Sequence, residues 1–269
     1  GERAFERCES LEQVELNDGI REISEYAFNE CNALRRINIP GSVEKIGERA
    51  FERCESLEQV ELNDGIREIS ESAFNKCKRL TRISIPGSVK KIGEYAFVNC
   101  ESLEQVELND GIKEISKSAF NECNALRRIN IPGSVKKIGE SAFERCESLE
   151  QVELNDGIKE ISESAFRGCN ALRRINIPGS VKKIGESAFE RCESLEQVEL
   201  NDGIKEISEF AFNGCTVLKR ISIPGSVEKI GEYAFADCEN LEKVEIKNSA
   251  TQIDKSAFKN CKNLGNVNT

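Results

Sequence analysis

The sequence predicts a solenoid, a chain wound into stacked rungs whose short parallel strands lie in register. Three observations carry that prediction. Phe5, Phe28, Phe51, Phe74, Phe97, Phe120, Phe143, Phe166, Phe189, Phe212, Phe235 and Phe258 stand 23 residues apart without a slip. The 12 cysteines, from Cys8 to Cys261, keep the same step. Apolar residues recur at the same offsets in each copy, and a period of about 20–50 residues marks a repeat architecture. Such a structure grows in one dimension and has no single closed core.

Within a rung each element has its own signal. Leu57-x-x-Val60-x-Leu62 alternates at its end, as a strand with one buried face does. A turn follows, either Asn63-Asp64-Gly65 or, in the other rung type, Pro40-Gly41-Ser42. Glycine permits positive φ, Asn and Asp tolerate it, and Pro cannot donate to a strand ladder. A second short extended piece, Ile66-Arg67-Glu68-Ile69, leads to Ala73-Phe74 and Cys77. There the spacing predicts a helix of one or two turns, opened by Ser24 in one rung type and by Gly47 in the other. Stacked about 4.8 Å apart, the rungs build an in-register parallel sheet and a column of offset phenylalanines.

The two rung types make the true unit 46 residues long, and electrostatics supplies a reason. The column Glu22, Lys45, Glu68, Lys91, Glu114, Lys137, Glu160, Lys183, Glu206, Lys229 changes sign at each step. The strand column Glu12, Arg35, Glu58, Thr81, Glu104, Arg127, Glu150, Arg173, Glu196, Lys219, Glu242 nearly does the same. Opposite charges on adjacent strands stabilise by roughly 0.2–1 kcal/mol per pair, and like charges destabilise. Alternation is therefore read as a register device.

All 269 residues are expected to form a single solenoid domain of about 12 rungs, cut inside a repeat at both ends. Gly1–Glu25 repeats residues 47–71, and Leu264, Val267 and Thr269 fall where a further strand would begin. Open sheet edges at the two ends would permit end-to-end self-association.

With Ala-Phe-x-x-Cys-x-x-Leu in phase throughout, and Ile-Pro-Gly-Ser-Val-x-x-Ile-Gly in alternate rungs, the chain resembles the BspA-like leucine-rich repeats. The resemblance implies a right-handed leucine-rich-repeat solenoid with a parallel β-sheet on the concave side. Short extended pieces and one-turn helices are expected on the convex side. It also implies a cell-surface or secreted location and a role in adhesion, and it brings no shared catalytic residues. Residues 123–163 and 169–209 are identical, which means recent duplication or human construction. Drift at Lys78–Thr81, Val98-Asn99, Thr216-Val217 and Lys247–Thr251 reads as natural wear.

Composition narrows the function further. A net charge of −10 argues against general nucleic-acid binding, and no apolar run approaches the ~18 residues of a membrane span. The chain has no His, so the usual general base is missing and an enzyme is not expected. Carboxylates occupy repeated surface positions, whereas catalysis needs a unique constellation in a pocket. No Cys-x-x-Cys pair occurs, and the cysteines are read as buried free thiols that neither bridge nor bind metal. Asp18, Asp64, Asp110, Asp156 and Asp202 lie on alternate rungs, roughly 9–10 Å apart, too far to share a calcium ion. No cofactor or metal is implied.

Lys90, Lys113, Lys136, Lys159, Lys182 and Lys205 break the alternation and stack six deep. With Glu94, Glu140, Glu163, Glu186 and Glu209 running nearby, this is read as a partly compensated solvated face. An anionic partner such as a glycan is the alternative. Specific recognition is expected where the copies differ. Phe210 and Tyr233 replace Ser before Ala-Phe on adjacent rungs, Val217 lies close by, and Tyr26 and Tyr95 occupy the same column. Exposed aromatics are frequent interface anchors. The function expected is a non-enzymatic interaction module of a bacterial surface or secreted adhesin, binding a protein or surface glycan. The alternative is a ligand-free spacer or engineered scaffold.

Overall fold

In the computed structural model, which describes residues 1–265, the chain alternates two-residue and four-residue strands. They are β1 (Glu22–Ile23), β2 (Arg36–Ile39), β3 (Lys45–Ile46), β4 (Gln59–Leu62), β5 (Glu68–Ile69), β6 (Arg82–Ile85) and β7 (Lys91–Ile92). There follow β8 (Gln105–Leu108), β9 (Glu114–Ile115), β10 (Arg128–Ile131), β11 (Lys137–Ile138), β12 (Gln151–Leu154), β13 (Glu160–Ile161) and β14 (Arg174–Ile177). The last are β15 (Lys183–Ile184), β16 (Gln197–Leu200), β17 (Glu206–Ile207), β18 (Arg220–Ile223), β19 (Lys229–Ile230), β20 (Lys243–Ile246) and β21 (Gln252–Ile253). Val267 and Thr269 lie outside the described residues.

The odd-numbered strands form one parallel sheet of 11, and the even-numbered strands line the concave side, β2 to β16 as a sheet of eight and β18 with β20 as a pair. Register is the repeat itself, as in Lys137 opposite Glu160. Each four-residue strand turns alternate residues inward, as with Ile129 and Ile131 against outward Arg128 and Asn130, although Leu62, Leu108, Leu154 and Leu200 are only half-buried. Between the sheets the phenylalanines stack nearly parallel, with ring centroids 5.1–5.4 Å apart from Phe5 to Phe258. The predicted column is therefore present, and its internal members are wholly buried.

The expected one-turn helix is replaced by a different compact turn. Ala27 N–H donates to the Ser24 carbonyl (3.2 Å) and Cys31 N–H to the Phe28 carbonyl (3.1 Å). The third residue of each turn, Tyr26 and Glu30, has φ of 54° and 58°, as a type II turn requires. The intervening amides leave the rung: Tyr26, Phe28 and Glu30 donate to the carbonyls of Glu48, Ala50 and Glu52. A helix would have kept those bonds within its own turn. Here they tie one rung to the next, which holds two residues in the left-handed region in nearly every rung, most of them not glycine.

Each buried thiol has a partner as well. Cys146 Sγ donates to the carbonyl of Phe120 at 3.2 Å, and the same contact recurs from Cys31 to Cys261. A small apolar side chain carrying one weak donor suits that place. Burial is the main cause that pushes these thiols up, to about 12 for Cys146 and Cys192.

The 46-residue unit has a steric origin beside the electrostatic one. A Cβ on Gly111, where φ is +119°, would lie 2.2 Å from the Gly87 carbonyl oxygen, and one on Gly87 would lie 1.9 Å from the Asp110 oxygen. The Pro-Gly-Ser turn thus rests directly on the Asn-Asp-Gly turn of the next rung, which only glycines allow. Pairing on the concave side follows: β6 meets β8 over four residues, from Arg82↔Gln105 to Ile85↔Leu108. Between units β8 meets β10 at Arg128↔Gln105 alone.

Candidate functional site

The concave sheet presents two exposed columns that the strand alternation turns outward. One runs Arg82, Gln105, Arg128, Gln151, Arg174, Gln197, Arg220, and the other Ser84, Glu107, Asn130, Glu153, Asn176, Glu199, Ser222. Among the described residues Arg82, Arg128, Arg174 and Arg220 make no salt bridge, so their guanidinium groups face solvent. A groove of about 400 Å³ lies over β8, β10 and β12, lined by Gln105, Glu107, Arg128, Asn130, Gln151 and Glu153. Neither column was singled out from sequence. The signal was the alternation in Arg128-Ile129-Asn130-Ile131, which sends the first and third residues outward.

This sheet is interrupted once. It runs from β2 to β16, and β18 and β20 form a separate pair, while the 11-stranded sheet continues through β17, β19 and β21. At the seam lies a groove of about 700 Å³ lined by Glu196, Gln197, Val198, Val217, Lys219, Arg220 and Ser222. Val217 stands where neighbouring copies carry Ala171 or Ala125, so the drift residues Thr216, Val217 and Lys219 coincide with the break in pairing.

The five residues chosen from sequence do not gather into one site. Phe210 and Tyr233 stack at 5.1 Å on the turn side, and Lys259 Nζ lies 5.3 Å from the Tyr233 ring centroid. Val217 lines the seam on the concave side. Tyr26 is held between Arg3 (4.7 Å) and Arg49 (5.6 Å), and Arg49 also donates to its hydroxyl. It is thus engaged in contacts within the turn column. Tyr95 occupies that column three rungs further on, half-buried, with its amide bonded to Lys117. Tyr26, Tyr95, Phe210 and Tyr233 all have φ of 53–57°. Their Ser counterparts share that conformation, so the backbone there belongs to the architecture and does not mark a site.

The predicted charge columns differ in outcome. In the first, Lys45–Glu68 (3.7 Å), Lys91–Glu114 (3.7 Å), Lys137–Glu160 (3.3 Å) and Lys183–Glu206 (3.2 Å) form ion pairs. All lie at the surface, with Glu114, Glu160 and Glu206 partly covered, and each is worth about 1 kcal/mol or less. In the second, backbone bonds such as Glu150 N–H to the Arg127 carbonyl (2.8 Å) link the rungs. Among the described residues Arg35, Arg127, Arg173 and Lys219 make no salt bridge, because exposed side chains there gain little by pairing.

The partial compensation expected for the lysine ladder is also absent over most of its length. Lys205 meets Glu228 at 2.7 Å. Lys90, Lys113, Lys136, Lys159 and Lys182 have no carboxylate within 4.0 Å among the described residues. The acidic column lies beyond the alternating one, and its Glu140 is taken by Lys117 at 2.7 Å.

Stacked 23-residue rungs with a parallel sheet on the concave side define a leucine-rich-repeat protein. The model of the BspA type leucine rich repeat region matches residues 1–100, 67–196 and 182–269, and the chain belongs to that family. It is similar to a leucine rich cell surface protein from Faecalibacterium prausnitzii, with 31% identity and a TM-score of 0.54, covering 98% of this chain and 81% of that one. A leucine-rich repeat protein from Treponema pallidum (T. pallidum) shares 27% identity over 86% of this chain and 88% of that one, with a TM-score of 0.53. One from Eubacterium ventriosum shares the fold at 23% identity and a TM-score of 0.56, covering 94% and 77% of the two chains. No curated protein matches significantly. Among the described residues no helix is long and apolar enough to cross a membrane.

Proposed function

We propose that the chain is the ligand-binding portion of a bacterial cell-surface or secreted adhesin, recognising a protein partner without catalysing a reaction. The observation that carries this reading is the concave sheet. It displays columns of solvent-facing Arg, Gln, Asn and Glu, and at the β16–β18 step, where strand pairing lapses, Val217 and Val198 line a groove beside Glu196, Lys219 and Arg220. Arginine and apolar anchors rimmed by polar groups are the usual makeup of interface centres. The likeness to a leucine rich cell surface protein supports the location.

Two patches on one stretch of chain, Val217 in the seam and the stacked Phe210–Tyr233 pair on the turn side, are candidate anchors. A binding screen against extracellular-matrix proteins and cell-surface glycans is expected to return a saturable partner. Val217→Ala should weaken a partner seated in the seam, and Phe210→Ser or Tyr233→Ser one seated on the turn side. Ser already occupies that left-handed position in other rungs, so loss of the aromatic stack costs only about 0.5–1.5 kcal/mol. Folding and binding effects are therefore separable. Silence from every protein in the screen, or a protein partner indifferent to all three substitutions, would refute the reading.

A further inference from the structure

Lys90, Lys113, Lys136, Lys159, Lys182 and Lys205 occupy one position on six successive rungs, all exposed. Adjacent members are bonded through their backbones: Lys113 N–H to the Lys90 carbonyl (2.8 Å), Lys136 to Lys113 (2.8 Å), Lys159 to Lys136 (2.9 Å), Lys182 to Lys159 (3.0 Å) and Lys205 to Lys182 (2.9 Å). The column is thus regular, and at ~4.8 Å per rung its five steps span about 24 Å.

The fold does not impose this run of like charge. At one end of the same column Arg21 and Arg67 flank Glu44 at 3.0 and 3.8 Å, and at the other Lys205 meets Glu228 at 2.7 Å. The backbone therefore accepts alternating sign here, as the neighbouring column does throughout. Like charges set directly opposite each other in a sheet are destabilising, and among the described residues no ion pair offsets that cost for the central lysines. Every second ammonium is held in place by turn carbonyls: Lys90 to Gly87 (3.0 Å), Lys136 to Gly133 (3.0 Å) and Gly157 (3.3 Å), Lys182 to Gly179 (3.4 Å) and Gly203 (3.3 Å). Lys113 and Lys159, between them, make no side-chain hydrogen bond among the described residues. Ordered and unengaged cations thus alternate along a straight track.

We propose that this ladder binds a linear anionic polysaccharide laid along the solenoid axis, its carboxylate or sulfate groups meeting successive lysines. The track is one side chain wide. On one side runs the Lys91–Glu114–Lys137–Glu160 column, close to neutral in sum, and beyond it the acidic column. On the other lie the turns bearing Asp110, Asp156 and Asp202. A broad polyanion such as a nucleic-acid duplex, with a charge every ~1.7 Å of axis, would press against those carboxylates. A narrow chain with sparse charge avoids them, and its hydroxyls suit the polar groups alongside. The inference does not rest on the concave-sheet reading, since the ladder lies past the Pro-Gly-Ser and Asn-Asp-Gly turns from that sheet.

The test is isothermal titration calorimetry of the whole chain with a heparin octasaccharide, at low and at physiological salt. Saturable binding that weakens with salt is expected. Lys113→Glu with Lys159→Glu should weaken it about tenfold or more, and the corresponding Gln pair should weaken it less and in the same direction. Thermal unfolding of both double variants should occur no lower than for the parent chain, because each relieves repulsion. Arg128→Ala on the concave sheet should leave octasaccharide binding unchanged. No saturable binding at low salt, equal binding of a neutral dextran octamer, or binding insensitive to the Lys113 and Lys159 changes would overturn the proposal. So would equally tight binding of a single-stranded oligonucleotide of matched charge.

Discussion

Replacing Gly111 by Ala probes the contact that joins two rungs into one unit. Gly111 has φ of +119°, and its added Cβ would sit 2.2 Å from the Gly87 carbonyl oxygen and 3.0 Å from the carbonyl carbon. The backbone conformation alone costs an L-residue about 1–3 kcal/mol. Relieving the clash requires the two turns to part, which breaks the Asn109 Nδ2 bond to the Ile85 carbonyl (3.0 Å) for roughly another 1 kcal/mol. Adding the displacement of Gly87, the expected loss is about 3–5 kcal/mol. Gly168→Ala is the control. Its φ of +71° is also left-handed, but the nearest atom to an added Cβ is Arg145 Cγ at 3.6 Å, an ordinary contact. That variant should lose only about 1 kcal/mol, the left-handed penalty less the entropy removed from the unfolded chain. Because rungs can open separately, urea unfolding should be paired with hydrogen exchange at Asn109, Gly111 and Lys113. Equal destabilisation by the two substitutions would refute turn-on-turn packing as the origin of the unit.

Phe143→Ala removes a wholly buried ring stacked 5.3 Å from both Phe120 and Phe166; denaturant unfolding should show a loss of about 3–5 kcal/mol. Lys76→Gly, at φ of 60°, should stabilise by somewhat under 1 kcal/mol, since glycine relieves the left-handed penalty but adds unfolded-state entropy; a lower urea midpoint would contradict the turn geometry. Alkaline pH should destabilise the chain through its thiols. Burial pushes Cys146 up to about 12, whereas an unfolded thiol titrates near 8.5–9, so above pH ~9 the unfolded state binds fewer protons and stability falls as pH rises toward 12. Cys146→Ala should reduce that slope by about 1.4 kcal/mol per pH unit, and an unchanged slope between pH 9 and 12 would show that the thiol is not held neutral.

Much of the fold was legible because a strict repeat turns one local pattern into a global one. The offsets of Phe, Cys and Leu already give the rung, its register and its aromatic column. The convex turn was not legible as written, because Ala-Phe-x-x-Cys has the spacing of a helical turn and its amides look locally satisfiable. Their true partners are 22 residues away, as with Phe28 and Ala50. A weak signal did exist at the residue before each Cys, where Gly168, Gly214, Asn99, Asn260 and Asp237 are types that tolerate positive φ. The candidate site was less legible. Reading the exceptions led to Val217, which the structure sets in the groove at the β16–β18 seam. The same reasoning could not foresee that Tyr26 is occupied by Arg3 and Arg49, or that the neighbouring Glu column leaves the lysines unpaired.

Two kinds of surface follow from one repeat, and they suit two kinds of ligand. A column such as Lys90–Lys205 offers the same group at a fixed step, so it can grip a polymer of any length, with each engaged rung raising the effective concentration of the next. Affinity there grows with the number of rungs, and selectivity among polymers of similar charge spacing is low. The seam between β16 and β18 is different, since it occurs once and pairs an apolar spot at Val217 with Arg220 and Glu196. Discrimination requires features that a competitor cannot satisfy elsewhere on the same molecule, and only an aperiodic place supplies them. Duplication of the 46-residue unit extends the first surface without adding to the second. A gain of double repeats should therefore strengthen anionic-polymer binding while leaving the affinity of a seam-bound protein unchanged.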